Sequence, residues 1–235
     1  MSVRVTKETQ PRVVLKGANS GTVNSGVLSG SGDGVRVSMT FTATAEPLIV
    51  IPYGNVVEAQ LEAGSFATSY IPTSGSQVTR SADLASIPVS AFGYNQDAGT
   101  IVVEFGAYDV GADAASIVSV TDNPVTDDWV LVYANPSNII MSVKDNVVSQ
   151  RTLTVSGDRR TTGGIAGIAV KENAFAFTVD GSAPQTDSSG TMPTDVSVVR
   201  IGSWVSNPGY LNGHIKSLKY YPRRLTDTQL QELTS

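Results

Sequence analysis

The chain has 235 residues, no cysteine and a net charge of −5, and only 16% of its residues are charged. The lack of cysteine excludes a disulfide framework and a thiolate metal site. The negative net charge argues against a general nucleic-acid binder, because neutralising phosphates needs clustered Lys and Arg. Gly, Ser, Thr and Val are abundant and long helix-forming stretches are missing, so we expect an all-β protein with one substantial core.

The first ten residues, Met1–Gln10, are polar and carry Arg4 and Lys7. They contain no apolar run able to act as a signal peptide, and no apolar stretch of the chain approaches membrane-spanning length. We therefore expect synthesis in a reducing bacterial cytoplasm, without membrane insertion.

Residues 1–63 predict a small β module. Its strand candidates are Arg12–Leu15, Val35–Thr44 and Leu48–Ile51, and the run Ser29–Gly34 predicts a flexible loop. Because so few strands bury little surface, we expect this module to depend on a neighbouring domain or subunit and to serve attachment or oligomerisation.

Residues 64–98 predict an extended connector, in which Pro72 and Pro88 disfavour helix and central-strand positions. We expect the connector to be docked on a core through four apolar side chains: Phe66, Tyr70, Ile71 and Phe92.

Residues 99–235 show regular β patterning. Apolar residues alternate at period two, which predicts half-buried antiparallel strands. Two such triplets, each sharing one face of its strand, are Ile101, Val103 and Phe105, and Trp129, Leu131 and Tyr133.

Turn residues separate these strand candidates. Asp145–Asn146 predicts a tight hairpin whose central residues take positive φ. Lys171–Asn173 predicts a second hairpin, and Asp180–Gly181 ends its outgoing strand.

The end of the chain contains a change of phase. Ile215 and Leu218 cannot share a strand face at strict period two, so burial of both predicts a β-bulge near Lys216 or Ser217. After Pro222, a short terminal helix is predicted by a capping-box pair and by a hydrophobic staple. The four residues are Thr226 with Gln229, and Leu225 with Leu230.

Several stretches of this chain resemble bacteriophage and prophage virion proteins in which a short β-rich module runs into a concanavalin A-like, laminin G-type domain. The resemblance covers about two thirds of the chain, and its motifs occur in the expected order. It is carried by residues 59–73 and 77–83 at the junction, then by Arg159–Gly181, by Gly190–Pro193 leading to Val199–Gly202, and by Leu211–Leu225.

The resemblance implies an antiparallel concanavalin A-like, laminin G-like jelly-roll sandwich at 99–235, preceded by the small module and closed by a short helix. It further implies a non-enzymatic structural or adhesion protein on the surface of a phage or phage-like particle: a head fibre, a decoration protein or a tail-associated component. Expected partners are capsid or tail proteins and host surface polysaccharide. By analogy with viral fibres we expect a homo-oligomer, with a trimer favoured.

Sugar recognition uses an aromatic face beneath a pyranose and polar groups that bond its hydroxyls. Trp204 is the first candidate, with Asn207 and Tyr210 close to it in sequence. Trp129 is a second candidate, although its alternation with Leu131 favours packing in the core.

Metal binding and catalysis have less support in the sequence. Asp122, Asp127 and Asp128 could supply oxygens to Ca²⁺, but a solvated turn is favoured, and we expect no cofactor. One alternative function is a polysaccharide-degrading enzyme of concanavalin-like fold using Glu104 or the only histidine, His214. The other is a purely architectural virion protein.

Overall fold

The computed structural model describes residues 2–5, 12–18, 21–24, 35–38, 41–42, 49–53, 56–63, 67–79, 83–109, 114–122, 128–204 and 209–235. The predicted loop Ser29–Gly34 and the residues Phe66, Asp127 and Asn207 lie outside these ranges. The chain divides into two compact units, Met1–Ser81 and Ala82–Ser235. The three-part division at 63 and 98 stays a prediction.

The first unit contains two antiparallel sheets of three strands each among the residues described. One sheet has the order β4-β1-β6 and the other β3-β2-β5. The three strand candidates of the sequence fall within or overlap β2, β4 and β5. The strands are β1 (Ser2–Val5), β2 (Arg12–Ala18), β3 (Gly21–Asn24), β4 (Val35–Ser38), β5 (Ile49–Tyr53) and β6 (Val56–Gln60).

Side-chain hydrogen bonds hold the segment that follows β6. The Gln60 amide oxygen accepts from the backbone N–H of Ile71 at 2.7 Å. The Glu62 carboxylate accepts from the backbone N–H of Thr68 at 2.9 Å and from its hydroxyl. These bonds order the start of the connector locally. Docking through Tyr70 and Ile71 stays a prediction.

Among its described residues, the second unit contains two antiparallel sheets, a 3-10 turn at Val89–Ala91 and one α-helix. A six-stranded sheet has the order β12-β11-β10-β9-β16-β7, and a five-stranded sheet has the order β15-β14-β13-β8-β17. The elements are β7 (Ala85–Pro88), β8 (Ala98–Tyr108), β9 (Ala115–Thr121), β10 (Trp129–Ala134), β11 (Asn138–Asp145), β12 (Val148–Ser156), β13 (Gly164–Lys171), β14 (Ala174–Val179), β15 (Gln185–Asp187), β16 (Val198–Ile201), β17 (Gly213–Tyr221) and α1 (Asp227–Leu233).

The core lies between the two sheets because alternate residues of both point inward. Ile101, Val103 and Phe105 of β8 are all buried in it, as their alternation predicts. The largest fully buried side chains of this core include Phe105, Tyr108, Phe175 and Phe177.

Both predicted hairpins are present, one with a shifted turn. The β11–β12 turn is Asn146–Val147, with φ of 48° and 70°, so the predicted turn Asp145–Asn146 is wrong by one residue. Asp145 instead continues the ladder opposite Val148. In the β13–β14 hairpin, Asn173 takes a φ of 55°, as an Asn in a tight turn can.

Pro88 lies on a strand that, within the described part of the chain, has a partner on one side only. The β7 strand is at the end of the six-stranded sheet and pairs with β16, where Pro88 is opposite Val198. A proline lacks the N–H that a second partner strand would need, so the edge position accommodates it. The second half of the predicted connector is therefore part of the sandwich.

The β17 strand contains the predicted bulge. Its register against β8 shifts between Ile215 and Ser217, and again between Gly213 and Ile215. The shift lets both Ile215 and Leu218 pack against the core, as their spacing requires.

The terminal helix α1 begins with the predicted capping box. The Thr226 hydroxyl accepts from the backbone N–H of Gln229 at 3.2 Å, and the Gln229 side-chain oxygen accepts from the backbone N–H of Thr226 at 3.1 Å. Leu230 is fully buried against the outer face of the five-stranded sheet, where it contacts a cluster that includes Val102 and Ala176.

We predict that Thr226→Ala lowers the free energy of unfolding by about 1 kcal/mol, because the first turn of α1 loses its cap. Chemical denaturation measures the change. Thr226→Ser keeps the accepting hydroxyl and is the control, so equal losses in both variants would contradict a capping role.

Candidate functional site

The face of β10 that carries Trp129 points away from the core. Val130 and Val132 are buried between the sheets, whereas Trp129 and Tyr133 are half-buried on the outer face of the six-stranded sheet. The alternation was identified correctly, but the expectation that Trp129 packs in the core is wrong. Val130 and Val132 of β10 occupy the core instead.

Directly paired residues of neighbouring antiparallel strands point to the same face of a sheet, so the register shows what surrounds Trp129. On β9 its partner is Thr121, and on β11 its partner is Lys144. Two rows of paired residues thus cross the outer face. They are Pro88, Val198, Thr121, Trp129, Lys144 and Ser149, and Ser86, Arg200, Ser119, Leu131, Ser142 and Thr152.

The two tryptophans meet on this face although 75 positions separate them in the sequence. Their ring centroids are 5.1 Å apart, with the ring planes at 79°. Such an edge-to-face pair is favourable for aromatic rings. The structure therefore brings together Trp204 and Trp129, the two aromatic candidates of the sequence.

Trp129 is the more constrained of the two rings. Its indole N–H donates to the Ser142 hydroxyl at 3.2 Å, and the Lys144 ammonium lies 4.3 Å from its ring centroid. One face of Trp129 is thus covered by a cation. Trp204 is half-buried and follows the end of β16 by three residues. We infer that Trp129 positions Trp204, which is the better placed ring for contact with a ligand.

Backbone hydrogen bonds fix both ends of the segment that carries Trp204. Gly202 N–H donates to the carbonyl of Ile117 at 2.9 Å, and Ser116 N–H donates to the carbonyl of Gly209 at 3.1 Å. A Cβ on Gly209 would lie 2.7 Å from the Cβ of Trp204, so only glycine fits here without displacing the tryptophan. Trp204 is therefore placed by β9.

The other sequence candidates of this region have less to support them. Tyr210 follows Gly209 and is 37% exposed. Asn207 lies outside the described residues.

Three hydroxyl residues of β9 on the same outer face were missed by the sequence analysis. Ser116 is 3% exposed and Ser119 and Thr121 are 0% exposed, and no hydroxyl of the three has a hydrogen-bond partner among the described residues. A buried polar group without a partner costs about 1–3 kcal/mol. The only signal in the sequence is the alternation of Ser119 and Thr121 with Val118 and Val120.

The acidic candidates lie beside the row of paired residues that contains Trp129, called here the Trp129 row. Asp128 precedes Trp129 and is 5% exposed, and its carboxylate accepts from the backbone N–H of Asn146 at 2.7 Å. Burial raises the pKa of Asp128, and the carboxylates of Asp145, Asp122 and Asp195 raise it further. Asp128 thus ties this strand end to the β11–β12 turn.

Calcium binding by Asp122, Asp127 and Asp128 stays a prediction. Within the described ranges, no group of three or more His, Cys, Asp or Glu side chains could hold a metal ion. Asp127 falls outside those ranges.

We predict that Asp128→Asn stabilises the protein at neutral pH. The folded-state pKa of Asp128 lies above its ordinary value of 3.8, so folding takes up a proton between these two values and stability rises as pH falls through that window. The amide keeps an oxygen for Asn146 and removes the charge. The advantage of the variant in thermal unfolding should shrink as the pH approaches 3.8.

The control for this prediction is Asp158→Asn, which should act with the opposite sign. Hydrogen bonds from Arg160 lower the pKa of Asp158 to about 2, so its contribution to stability is lost as pH falls from 3.8 to that value. A loss of stability in Asp128→Asn at neutral pH, present with calcium and absent with EDTA, would contradict the prediction and support a bound cation.

The residues considered for catalysis lie on the other sheet. Glu104 of β8 forms an ion pair with Lys216 of β17, 3.3 Å between the charged atoms. Positions 104 and 106 share one face of β8, and a Cβ on Gly106 would lie 3.5 Å from the Cβ of His214. His214 is exposed. Glu104 and His214 therefore belong to the outer face of the five-stranded sheet, away from the tryptophans.

A polar cleft and an apolar cavity lie elsewhere among the described residues of the second unit. A polar cleft of about 460 Å³ is lined by residues that include Asn173, Asp187 and Arg224. Its charged groups have partners: Asp187 pairs with Arg151 at 2.6 Å and Arg224 pairs with Asp227 at 2.6 Å. An apolar cavity of about 200 Å³ is lined by Ile87, Phe92, Tyr94, Ile101, Val199, Leu218 and Tyr220.

Comparison with known proteins identifies the architecture. No protein-family model and no curated protein sequence matches the chain. The sialidase CBM40 of Ruminococcus gnavus, solved with α2,3-sialyllactose, has a TM-score of 0.53 and 17% identity, covering 62% of this chain and 87% of that one. Its complex with α2,6-sialyllactose has a TM-score of 0.54 and 16% identity, covering 65% of this chain and 93% of that one.

The second unit is a concanavalin-like jelly-roll sandwich. The NanB sialidase of Streptococcus pneumoniae is also similar, with a TM-score of 0.51 and 12% identity, but the matched part covers 63% of this chain and only 26% of that protein. At such identities the likeness shows the fold alone. No helix among the described residues is long and apolar enough to cross a membrane.

Proposed function

We propose that this chain is a non-enzymatic structural or adhesion protein of a phage or phage-like particle, and that its sandwich displays a sugar-binding face. The face is the outer surface of the six-stranded sheet around Trp129 and Trp204. Weak binding by each copy is multiplied by the number of copies on the particle.

The contact between Trp129 and Trp204 is the observation that carries the proposal. It places a half-buried aromatic platform beside hydroxyl groups and two cations, Lys144 and Arg200, on one face. Aromatic rings with a few directed polar groups are the usual composition of a sugar site. The Ruminococcus gnavus modules were solved with sialyllactose, which makes an anionic sugar the first ligand to test. Carboxylates near Asp128 offset the two cations, so charge alone does not select the sugar.

The experiment is a titration of the purified protein with 3′-sialyllactose and 6′-sialyllactose, with lactose as the uncharged control. The chain contains only two tryptophans, so its indole fluorescence reports on this site alone. Saturable binding of a sialyllactose, weaker for lactose, supports an anionic-sugar face. If neither these sugars nor polysaccharides of host bacteria bind, the sugar-binding part of the proposal is refuted.

The particle assignment rests on the order of the motifs that resemble virion proteins, from residue 59 to Leu225. Its test is the mass of the protein in solution by light scattering, together with pull-downs against capsid and tail proteins. A trimer that pulls down a capsid or tail protein supports the assignment. A protein that is monomeric at micromolar concentration and pulls down no capsid or tail protein refutes the attachment role.

The non-enzymatic part has a separate test. Incubation with host polysaccharides should release no new reducing ends. Release that is abolished by Glu104→Gln or His214→Ala would replace this proposal with that of a glycan-degrading enzyme.

A further inference from the structure

The hydroxyls of Ser119 and Thr121 call for an explanation beyond folding. Both residues are 0% exposed and neither hydroxyl has a partner among the described residues. Folded proteins pair nearly all their buried polar groups, and exceptions concentrate at functional sites. Alanine or valine would fit the same positions without an unpaired group.

On the outer face of the six-stranded sheet, these hydroxyls lie next to the tryptophans. Thr121 is the direct partner of Trp129 on the outer face, and Ser119 is the direct partner of Leu131 one pair further along. Gly202 is bonded to Ile117 of β9, whereas Trp204 touches the ring opposite Thr121. On the same face, the β16 partner of Ser119 is Arg200 and that of Thr121 is Val198.

We propose that Ser119 and Thr121 are ligand-contacting residues of the sugar-binding face and that a ligand reaches them when Trp204 moves off Trp129. This inference rests on the proposed function and assigns to it two further residues and a movement. A sugar hydroxyl can donate to or accept from each of these groups, which then acquire the partner that the free protein lacks. Trp129 stays in place because Ser142 and Lys144 hold it.

The test uses Ser119→Ala and Thr121→Val, titrated by calorimetry with 3′-sialyllactose or the first polysaccharide that the wild type binds. Each variant should bind about five- to tenfold more weakly, since it loses one hydrogen bond to the ligand. Its thermal midpoint should equal or exceed that of the wild type, because an unpaired buried hydroxyl has been removed. A merely structural role for the hydroxyls would not produce these opposite signs.

Two controls separate the hydroxyl from the rest of the side chain. Thr121→Ser keeps the hydroxyl and should keep the affinity, and Thr228→Val makes the Thr-to-Val change at an exposed position of α1. Equal weakening in Thr121→Ser and Thr121→Val would attribute the loss to the methyl group and overturn the assignment.

The movement is tested by stopped-flow tryptophan fluorescence. If Trp204 must move, the observed rate should level off at high ligand concentration, whereas a linear increase throughout would overturn the movement. Unchanged affinity in both β9 variants would overturn this inference and leave the proposed function standing. Absence of any sugar binding by the wild type would overturn both.

Discussion

Replacement of Trp204 by alanine is expected to weaken glycan binding about 30-fold while leaving the sandwich folded. An aromatic side chain at the centre of a binding site typically contributes about 2 kcal/mol, which corresponds to that factor. Trp204 is half-buried and lies beyond the end of β16, so its removal leaves the core between the sheets intact. Calorimetry with the oligosaccharide that the wild type binds measures the loss.

The control is Leu84→Ala, which removes an apolar side chain that is 75% exposed in the same unit. It should bind as the wild type does. If Trp204→Ala binds as tightly as the control, the tryptophan face is not the sugar site. The polar cleft at Asn173, Asp187 and Arg224 would then be the next surface to test.

Leu230→Ala is expected to lower the free energy of unfolding of the second unit by about 2–5 kcal/mol, the range for a buried leucine. Leu230 is fully buried against Val102, Ala169 and Ala176. A Cβ on Gly167 would lie 2.9 Å from its Cδ1 atom, so the helix approaches the sheet closely at a position without a side chain. Chemical denaturation of the protein gives the change.

Glu232→Ala on the same helix is the matched control, because Glu232 is exposed. Its effect should stay within about 0.5 kcal/mol. If Leu230→Ala lowers the free energy of unfolding as little as Glu232→Ala does, the helix is not docked on the sheet in solution. Below the unfolding transition, Leu230→Ala should bind glycan normally, since α1 covers the five-stranded sheet and the tryptophans lie on the other one.

The fold by itself says less about function than the residues around Trp129 and Trp204 on the outer face of the six-stranded sheet. Concanavalin-like sandwiches host many functions, so the likeness to sialidase carbohydrate-binding modules does not by itself make this chain a lectin. What supports sugar binding is the particular set of groups at the Trp129 row. What supports a place on a virion is the resemblance of ordered sequence motifs, and the two parts have separate tests.

Features set by neighbouring residues were predictable from the sequence. The alternation of Ile101, Val103 and Phe105, the hairpin turn at Asn173 and the capping box of Thr226 and Gln229 depend on periods and spacings of two to four residues. The bulge in β17 was predictable too, because two buried residues in the wrong phase require a shift in register.

The site depended on sheet order, which local patterns do not contain. Alternation along β10 separates two faces, but only the packing of the second sheet decided that Val130 faces the core and Trp129 faces outward. Sequence alone determined the alternation along β8, the turn at Asn173 and the helix cap, since these follow from local backbone preferences. The tertiary structure decided which distant residues meet, including Trp129 with Trp204, because that pairing depends on how strands 75 residues apart are ordered in one sheet.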